Sequence, residues 1–331
     1  MAPDDEEFVG ATEPFRRELL AHCYRMLGSV DDATDVVQET YLRAWRSYGA
    51  FEGRSSVRTW LHRIATNACL SALAHHSRRV LPSGLGAPEA DPEAVPVAAA
   101  PGVSWLQPIP DALVDPGTAA DPASVVLARE DLRLALVAGL QYLSGTQRAV
   151  LLLREVLSFP ASDVAAMLGT TTAAVKSTLQ RARARLRELA PAAQEIAQPT
   201  APEARRLLDE YIAAFQNADA RALERLLCRD ATLEATPFTT WFAGNRNCVP
   251  YLRHRVMGSP GDWLMLPTRA NGQPAAVAYT RDRQGTHQAY GAVVLTVTRA
   301  GISRICSFHR PGLVAAFGFP PTLRRPLRDS P

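Results

Sequence analysis

A chain of 331 residues is long enough for about two or three domains of roughly 150 residues each. With 47% hydrophobic and 21% charged residues it can bury a sizeable core, and no run of about 18 apolar residues is present to cross a membrane. The net charge of +3 is small, so a strongly basic surface has to be local, and five cysteines that never form a C-x-x-C pair exclude a disulfide framework and a zinc site.

The N-terminus, MAPDDEEFVG, is acidic and has no apolar leader core, so the chain is expected to be cytoplasmic, with reduced thiols, and neither secreted nor membrane-spanning. Two Pro/Ala-rich breaks separate three modules. Residues 80–120 belong to a longer stretch, from Val80 to Ala128, that contains no Lys or Arg but holds Glu89, Asp91, Glu93, Asp111, Asp115 and Asp121. Such a composition resists helix and sheet and cannot bury a core, and it reads as an acidic linker. A second linker covers 191–202.

The first module, 8–79, is helical. Phe15, Leu19, Cys23 and Leu27 keep helical spacing, Gly28 ends that helix, and Asp31 or Asp32 caps the next. Val36, Val37, Tyr41 and Ala44 then face a core, which leaves Asp35, Gln38 and Glu39 outside. A third helix packs Trp60, Leu61, Ile64, Ala68 and Leu70. Around it stand Arg54, Arg58, Arg63, Arg78 and Arg79, interleaved with Trp45, Tyr48, Phe51 and Trp60. Arginines neutralise phosphates and aromatic faces stack on unpaired bases, so this surface suits single-stranded DNA, although Trp60 also lies in the apolar stripe of its helix.

The second module, 121–190, begins with an acid-capped helix at Asp121-Pro122. A capping box of Ser144 and Gln147 opens the next helix, ASDVAAML is a short helix that Gly169 stops, and Thr171 or Thr172 caps the last. That last helix carries an apolar stripe of Val175, Leu179, Ala182, Leu186 and Leu189, with Lys176, Arg181, Arg183, Arg185 and Arg187 elsewhere on it. A short helix, a tight turn and a basic helix make a helix-turn-helix, whose second helix enters the major groove.

DDATDVVQETYLRAW, TWLHRIATNACLSAL and DVAAMLGTTTAAVKSTLQRARARL, in that order, resemble the sigma-70 superfamily of bacterial RNA polymerase sigma factors, in its compact extracytoplasmic-function (ECF) group. The resemblance covers about the first 190 residues. It implies an all-α region 2 that binds core polymerase and the -10 promoter element, and an all-α region 4 that binds the -35 element. Residue by residue it implies that Asp35, Gln38 and Glu39 grip the beta-prime coiled coil, with Thr34 standing where Glu is frequent. The beta flap is a further contact on the polymerase. It assigns Arg58, Trp60, Arg63, His75, His76, Arg78 and Arg79 to the -10 element, the loop AHHSRR capturing a flipped base. It gives Thr172, Lys176, Ser177, Gln180 and Arg181 to the -35 duplex, and Thr178 stands where Arg is common. By the same analogy the acidic linker threads the RNA exit channel as an RNA mimic; the alternative is an inert tether.

The third module, 203–320, opens with a helix that places Leu207, Tyr211, Ala214 and Phe215 on one side. Strands at ATLEA, WLMLPTRA, AAVAYTR, AYGAVVLTVTR and ISRICSF follow, with WFAGNRNCVPYLRHRV between the first two. This α+β order resembles the SnoaL-like family, a cone-shaped barrel around a pocket, and ECF sigma factors that carry such a domain at the C-terminus. The pocket candidates are Tyr211, Phe215, Trp241 and His309. Catalysis there would draw its acid or base from Asp209, Glu234 or His309, yet the sequence shows no paired carboxylates and no nucleophile triad. The expectation is therefore a sigma factor that is not an enzyme and uses no cofactor or metal. Its own C-terminal domain modulates it, its partners are core polymerase and promoter DNA, and a small-molecule ligand and a separate anti-sigma factor are open possibilities. The alternative is a SnoaL-like enzyme or sensor fused to a DNA-binding module.

Overall fold

A computed structural model describes residues 5–75, 77–115, 132–189 and 199–323. The chain divides into two compact units, Met1–Arg79 with Leu113–Gln194, and Val80–Ala112 with Glu195–Pro331. The helix start at Asp121-Pro122, the linker residues 116–120 and 191–198, His76 and the Leu189 side chain lie outside the described residues.

The first unit begins with α1 (Asp5–Thr12), α2 (Arg16–Leu27), α3 (Val30–Ser47) and α4 (Val57–His75). Gly28, at φ 71°, closes α2 in a left-handed cap that donates its N–H to the Tyr24 carbonyl. Ser29, not Asp31 or Asp32, caps α3: its hydroxyl accepts the Asp32 N–H at 3.1 Å, so both aspartates fall in the first turn, where the helix dipole favours them. Leu19, Cys23, Tyr24 and Met26 of α2 and Leu61, Ala65 and Cys69 of α4 are all buried, and the two helices pack together. Val37 and Ala44 are buried as expected, while Val36 and Tyr41 are only half-buried.

Among the described residues from Leu134 on, this unit adds α5 (Leu134–Leu140), α6 (Gly145–Leu151), α7 (Ala161–Leu168) and α8 (Thr172–Leu189). Both hydrogen bonds of the Ser144–Gln147 capping box are present at the start of α6. Gly169, at φ 61°, stops α7, and the Thr171 hydroxyl caps α8 through the Ala174 N–H. Val150, Leu153, Phe159, Val164, Met167 and Val175 form the small core that fixes the angle between α7 and α8.

The second unit packs α9 (Ala201–Gln216), α10 (Ala220–Leu226) and α11 (Asn245–Tyr251) on a sheet of β1 (Leu227–Thr236), β2 (Trp241–Ala243), β3 (Trp263–Ala270), β4 (Gln273–Arg281), β5 (His287–Thr298) and β6 (Gly301–Phe308). The strand order is β2-β1-β6-β5-β4-β3, with β1 parallel to β6 and the other neighbours antiparallel; a short β7 (Thr322–Leu323) pairs with β5. All five expected strands are present, but β2 and β3 do not pair with each other. The sheet stays open where a closed barrel was expected. β4 is buried on both faces because α12 (Gly312–Ala316) and the residues after it lay Val314, Phe317 and Phe319 against Val277 and Tyr279.

Residues 80–112, read from composition as linker, strap this sheet. Leu106 and Ile109 have no exposed surface, and Val80 and Leu81 are also buried. The strap is stitched down by backbone bonds: Glu89 N–H to Trp241 O at 2.8 Å, Thr239 N–H to Val97 O at 2.8 Å, Ala99 N–H to Pro237 O at 3.1 Å and Asn271 N–H to Ile109 O at 3.0 Å. Apart from a 3-10 turn at Pro82–Gly84 and the start of a one-turn helix at Asp111–Val114, the strap is irregular and is held by these single bridges to turns and strand edges.

Candidate polymerase and nucleic-acid interfaces

The outer face of α3 carries the expected polymerase contacts. Asp35 and Gln38 are exposed, and half-buried Glu39 pairs with Arg43 one turn on, at 2.6 Å. Leu42 and Trp45, 52% and 38% exposed, continue the face in which Asp35 and Gln38 lie, at helical spacing. Sequence reading missed Leu42; an apolar residue left outside a helix whose inner stripe is already complete was the available signal.

The -10 candidates divide. Trp60 is buried, with its ring 4.8 Å from Phe51. It lines a groove with Arg43, Phe51, Arg54, Arg63 and Asn67, in which the Arg63 side chain is exposed. Arg58 is spent inside the fold: it makes a bidentate pair with Glu18 at 2.7 and 3.1 Å, donates to the Leu157 carbonyl at 3.1 Å and lies 4.4 Å from the centre of the Phe159 ring. His75 is exposed at the end of α4. Arg78 stacks over Tyr142 at 4.2 Å, and Arg79 is paired with Asp32. Two of the described -10 arginines, Arg58 and Arg78, thus touch the part of this unit that follows residue 132. Such partners, 64 to 101 residues away, cannot be read from local pattern.

Beside Arg58 the helices bury two histidines. His62 donates from Nδ1 to the Arg58 carbonyl, 2.9 Å away, and its ring is 5.2 Å from Phe159; His22 is 3.0 Å from the Thr66 hydroxyl. Burial pulls the His62 pKa down to about 4 and lowers that of His22 as well, so both rings are neutral at pH 7.

On α8, Thr172, Lys176, Gln180 and Arg181 are exposed near the start of the helix, with Ser177 half-buried among them. Thr178, where Arg would resemble the family, is buried, and its hydroxyl accepts a bond from Arg181 Nη2 at 3.0 Å. Farther along, Arg183 is held by Glu155 at 2.6 Å and Arg185 by Glu188 at 2.9 Å. Lys176 and Arg181, in the N-terminal part of the helix that reads base edges in a helix-turn-helix, thus have no acid partner among the described residues, as is also true of Arg187 near its end.

In the second unit, Tyr211 and Phe215 are buried 4.9 Å apart, and Trp263 and Tyr290 carry the aromatic contact on to His309, which stacks on Tyr290 at 4.0 Å. Trp263 and Tyr290 escaped notice because only strand register brings them together. Trp241 stands apart from this chain of rings and gives its indole N–H to the strap carbonyl of Gly86 at 2.9 Å. Burial pushes the Tyr290 phenol up to about 12 and keeps Tyr211 protonated, while it lowers the His309 pKa. The three acid or base candidates do not converge. Asp209 is exposed and paired with Arg205. Glu234 lies on the sheet face opposite Leu233, where it pairs with Arg304 at 3.2 Å and accepts the Ser83 N–H of the strap at 2.9 Å.

Comparison with known proteins agrees with this layout. Residues 12–79 match the family model of Sigma-70 region 2, and residues 133–186 match that of Sigma-70, region 4. The ECF RNA polymerase sigma factor SigG of Mycobacterium tuberculosis is 48% identical over 326 residues, which span 97% of this chain and 87% of that protein. SigJ of the same species is 31% identical over 177 residues, 53% of this chain and 48% of SigJ. The crystal structure of SigJ shares the fold, with a TM-score of 0.58 at 22% identity over 95% of this chain and 99% of that one. The α+β order expected of a SnoaL-like domain is thus part of a fold seen along nearly the whole chain. With both sigma-70 regions in order and a full-length relative at 48% identity, the chain belongs to the extracytoplasmic-function RNA polymerase sigma factors.

Proposed function

We propose that this sigma factor docks on core RNA polymerase, at the beta-prime coiled coil, through Asp35, Gln38 and Glu39, extended by Leu42 and Trp45. Arg63, His75, Arg78 and Arg79, with the groove beside Trp60, then serve the -10 element, and Thr172, Lys176, Ser177, Gln180 and Arg181 serve the -35 duplex in the cytoplasm. The observation that carries this reading is that Arg183 and Arg185 of α8 are paired with Glu155 and Glu188, while Lys176 and Arg181, nearer its start, have no acid partner among the described residues. Arg58 and Arg78 join the promoter surface only after leaving Leu157, Phe159 and Tyr142. We further propose that the C-terminal domain modulates transcription through residues 80–112, which it holds by main-chain bonds and which follow the -10 loop without a spacer. The separation of Asp209, Glu234 and His309 favours a regulatory domain over a hydrolytic or isomerising one. Promoter-dependent run-off transcription with core polymerase tests the whole scheme. Asp35→Arg reverses an exposed charge, so it should abolish holoenzyme formation while leaving the circular dichroism and unfolding midpoint of the chain unchanged; retained assembly would remove α3 as the docking face.

A further inference from the structure

Between the end of α4 and the start of α6 lies a cavity of about 170 Å³ whose polar lining is Asp32, Ser77, Arg78, Arg79, Gln141 and Arg148. Arg148 is 3% exposed, donates to the carbonyls of Met26 and Leu143 and to Gln141 Oε1 at 2.9 Å, and pairs with no carboxylate among the described residues. Its Nε is buried with no acceptor. A guanidinium removed from water without a counter-ion is costly, and carbonyl oxygens offset only part of that cost. Arg79 pairs with Asp32, and Arg78 lies over the face of Tyr142. Arg78 and Arg148, neither of which meets a carboxylate among the described residues, bring positive charge to a small cavity.

We propose that this cavity is a binding site for a small phosphate-type anion, held by Arg78, Arg79 and Arg148. A water occupies about 30 Å³ of liquid, so the space corresponds to roughly six waters, enough for a phosphate or diphosphate group and too little for a nucleoside. Guanidinium forks match phosphate oxygens in geometry as well as in charge. Asp32, Arg78 and Arg79 come from region 2, and Gln141 and Arg148 come from region 4, so a bound anion ties the two regions together. Free pyrophosphate and the diphosphate moiety of a nucleotide present the same group.

Calorimetric titration of the full-length chain with inorganic pyrophosphate and, separately, with a nucleoside diphosphate tests the site, at ionic strength matched with chloride. The expected result is saturable binding at one site that is weakened at least tenfold by Arg78→Gln, whose exposed side chain can be changed without loss of fold, and by Arg148→Gln. Binding of pyrophosphate identifies the phosphate group alone as sufficient, and binding of only the nucleoside diphosphate assigns the source to a nucleotide; either supports the site. Absence of saturable binding by both, or binding that Arg78→Gln leaves unchanged, overturns it.

Discussion

Replacing Leu106 with Ala distinguishes a strap that belongs to the C-terminal core from a tether that merely passes it. Leu106 has no exposed surface, and its N–H is fixed to the Val80 carbonyl at 2.9 Å, in a stretch where Ile109 is equally buried and is bonded to Asn271 in both directions. Three buried carbons lost at about 0.8 kcal/mol each give about 2.4 kcal/mol, and the cavity left behind raises the cost toward the range of about 2 to 5 kcal/mol found for buried leucines. In a unit of this size each kcal/mol moves the melting temperature by about 2 to 4 °C, so a fall of about 5 to 15 °C is expected. Trp105, Trp241 and Trp263 all lie in this unit and report its unfolding by fluorescence. Val95, on the same strap and 70% exposed, is the control: Val95→Ala should stay within about 0.5 kcal/mol. If Leu106→Ala and Val95→Ala unfold at the same midpoint, the strap contributes no core and the argument fails.

Two further outcomes follow from the first unit. Arg181→Ala should weaken -35 duplex binding by about 1 to 3 kcal/mol and relax base preference, whereas Arg183→Ala, whose guanidinium is already held by Glu155, should cost less than about 1 kcal/mol; equal losses in a gel-shift titration would contradict the division of α8 into reading and structural halves. His62 is depressed from its ordinary 6.5 to about 4 by burial, so between those pH values the unfolded chain binds a proton that the folded chain refuses, and stability, full above about pH 6.5, falls as pH drops toward 4. The shift corresponds to about 3 kcal/mol at about 1.4 kcal/mol per unit, and His62→Gln should flatten the pH dependence of the unfolding free energy over that window; an unchanged slope would refute the assignment.

The helices and strands were legible because each has a short-range signature. The Ser144–Gln147 box, Gly28 and Gly169 at left-handed φ, the alternation along β3 and the apolar runs of β4 and β5 act within a few residues. The strap had no such signature. Val80, Leu81, Leu106 and Ile109 are scattered among prolines and alanines, and what orders them is a set of partners near residues 237–241 and 271, too far along the chain for any periodicity to announce. Site residues split in the same way. Asp35 and Gln38 follow from the α3 stripe alone, and the Trp60 burial was weighed from its own helix, but the engagement of Arg58 with Phe159 and of Arg78 with Tyr142 depends on tertiary packing. Thr178 shows why a family position cannot be transferred by number: a threonine there turns inward and serves Arg181.

The strap also changes what the covalent layout means. Reading 191–202 as the tether of the C-terminal domain gives that domain a single short connection, yet the chain also enters the same unit at Val80, directly after Arg79, and leaves it after Ala112. Strap release requires breaking main-chain bonds at Trp241, Pro237, Thr239 and Asn271 together with the Glu234 bond to the Ser83 N–H and the Asp111 pairing with Arg269, at 3.1 Å. Asp111 is thereby neutralised inside the fold, which subtracts one charge from any acidic stretch offered to a basic channel. A chain ended near residue 190 loses its C-terminal domain and at the same time uncovers Leu106 and Ile109, so its transcription level mixes the loss of that domain with the exposure of apolar surface. Substitutions inside the intact unit separate these two effects, because they loosen the strap while the domain stays attached.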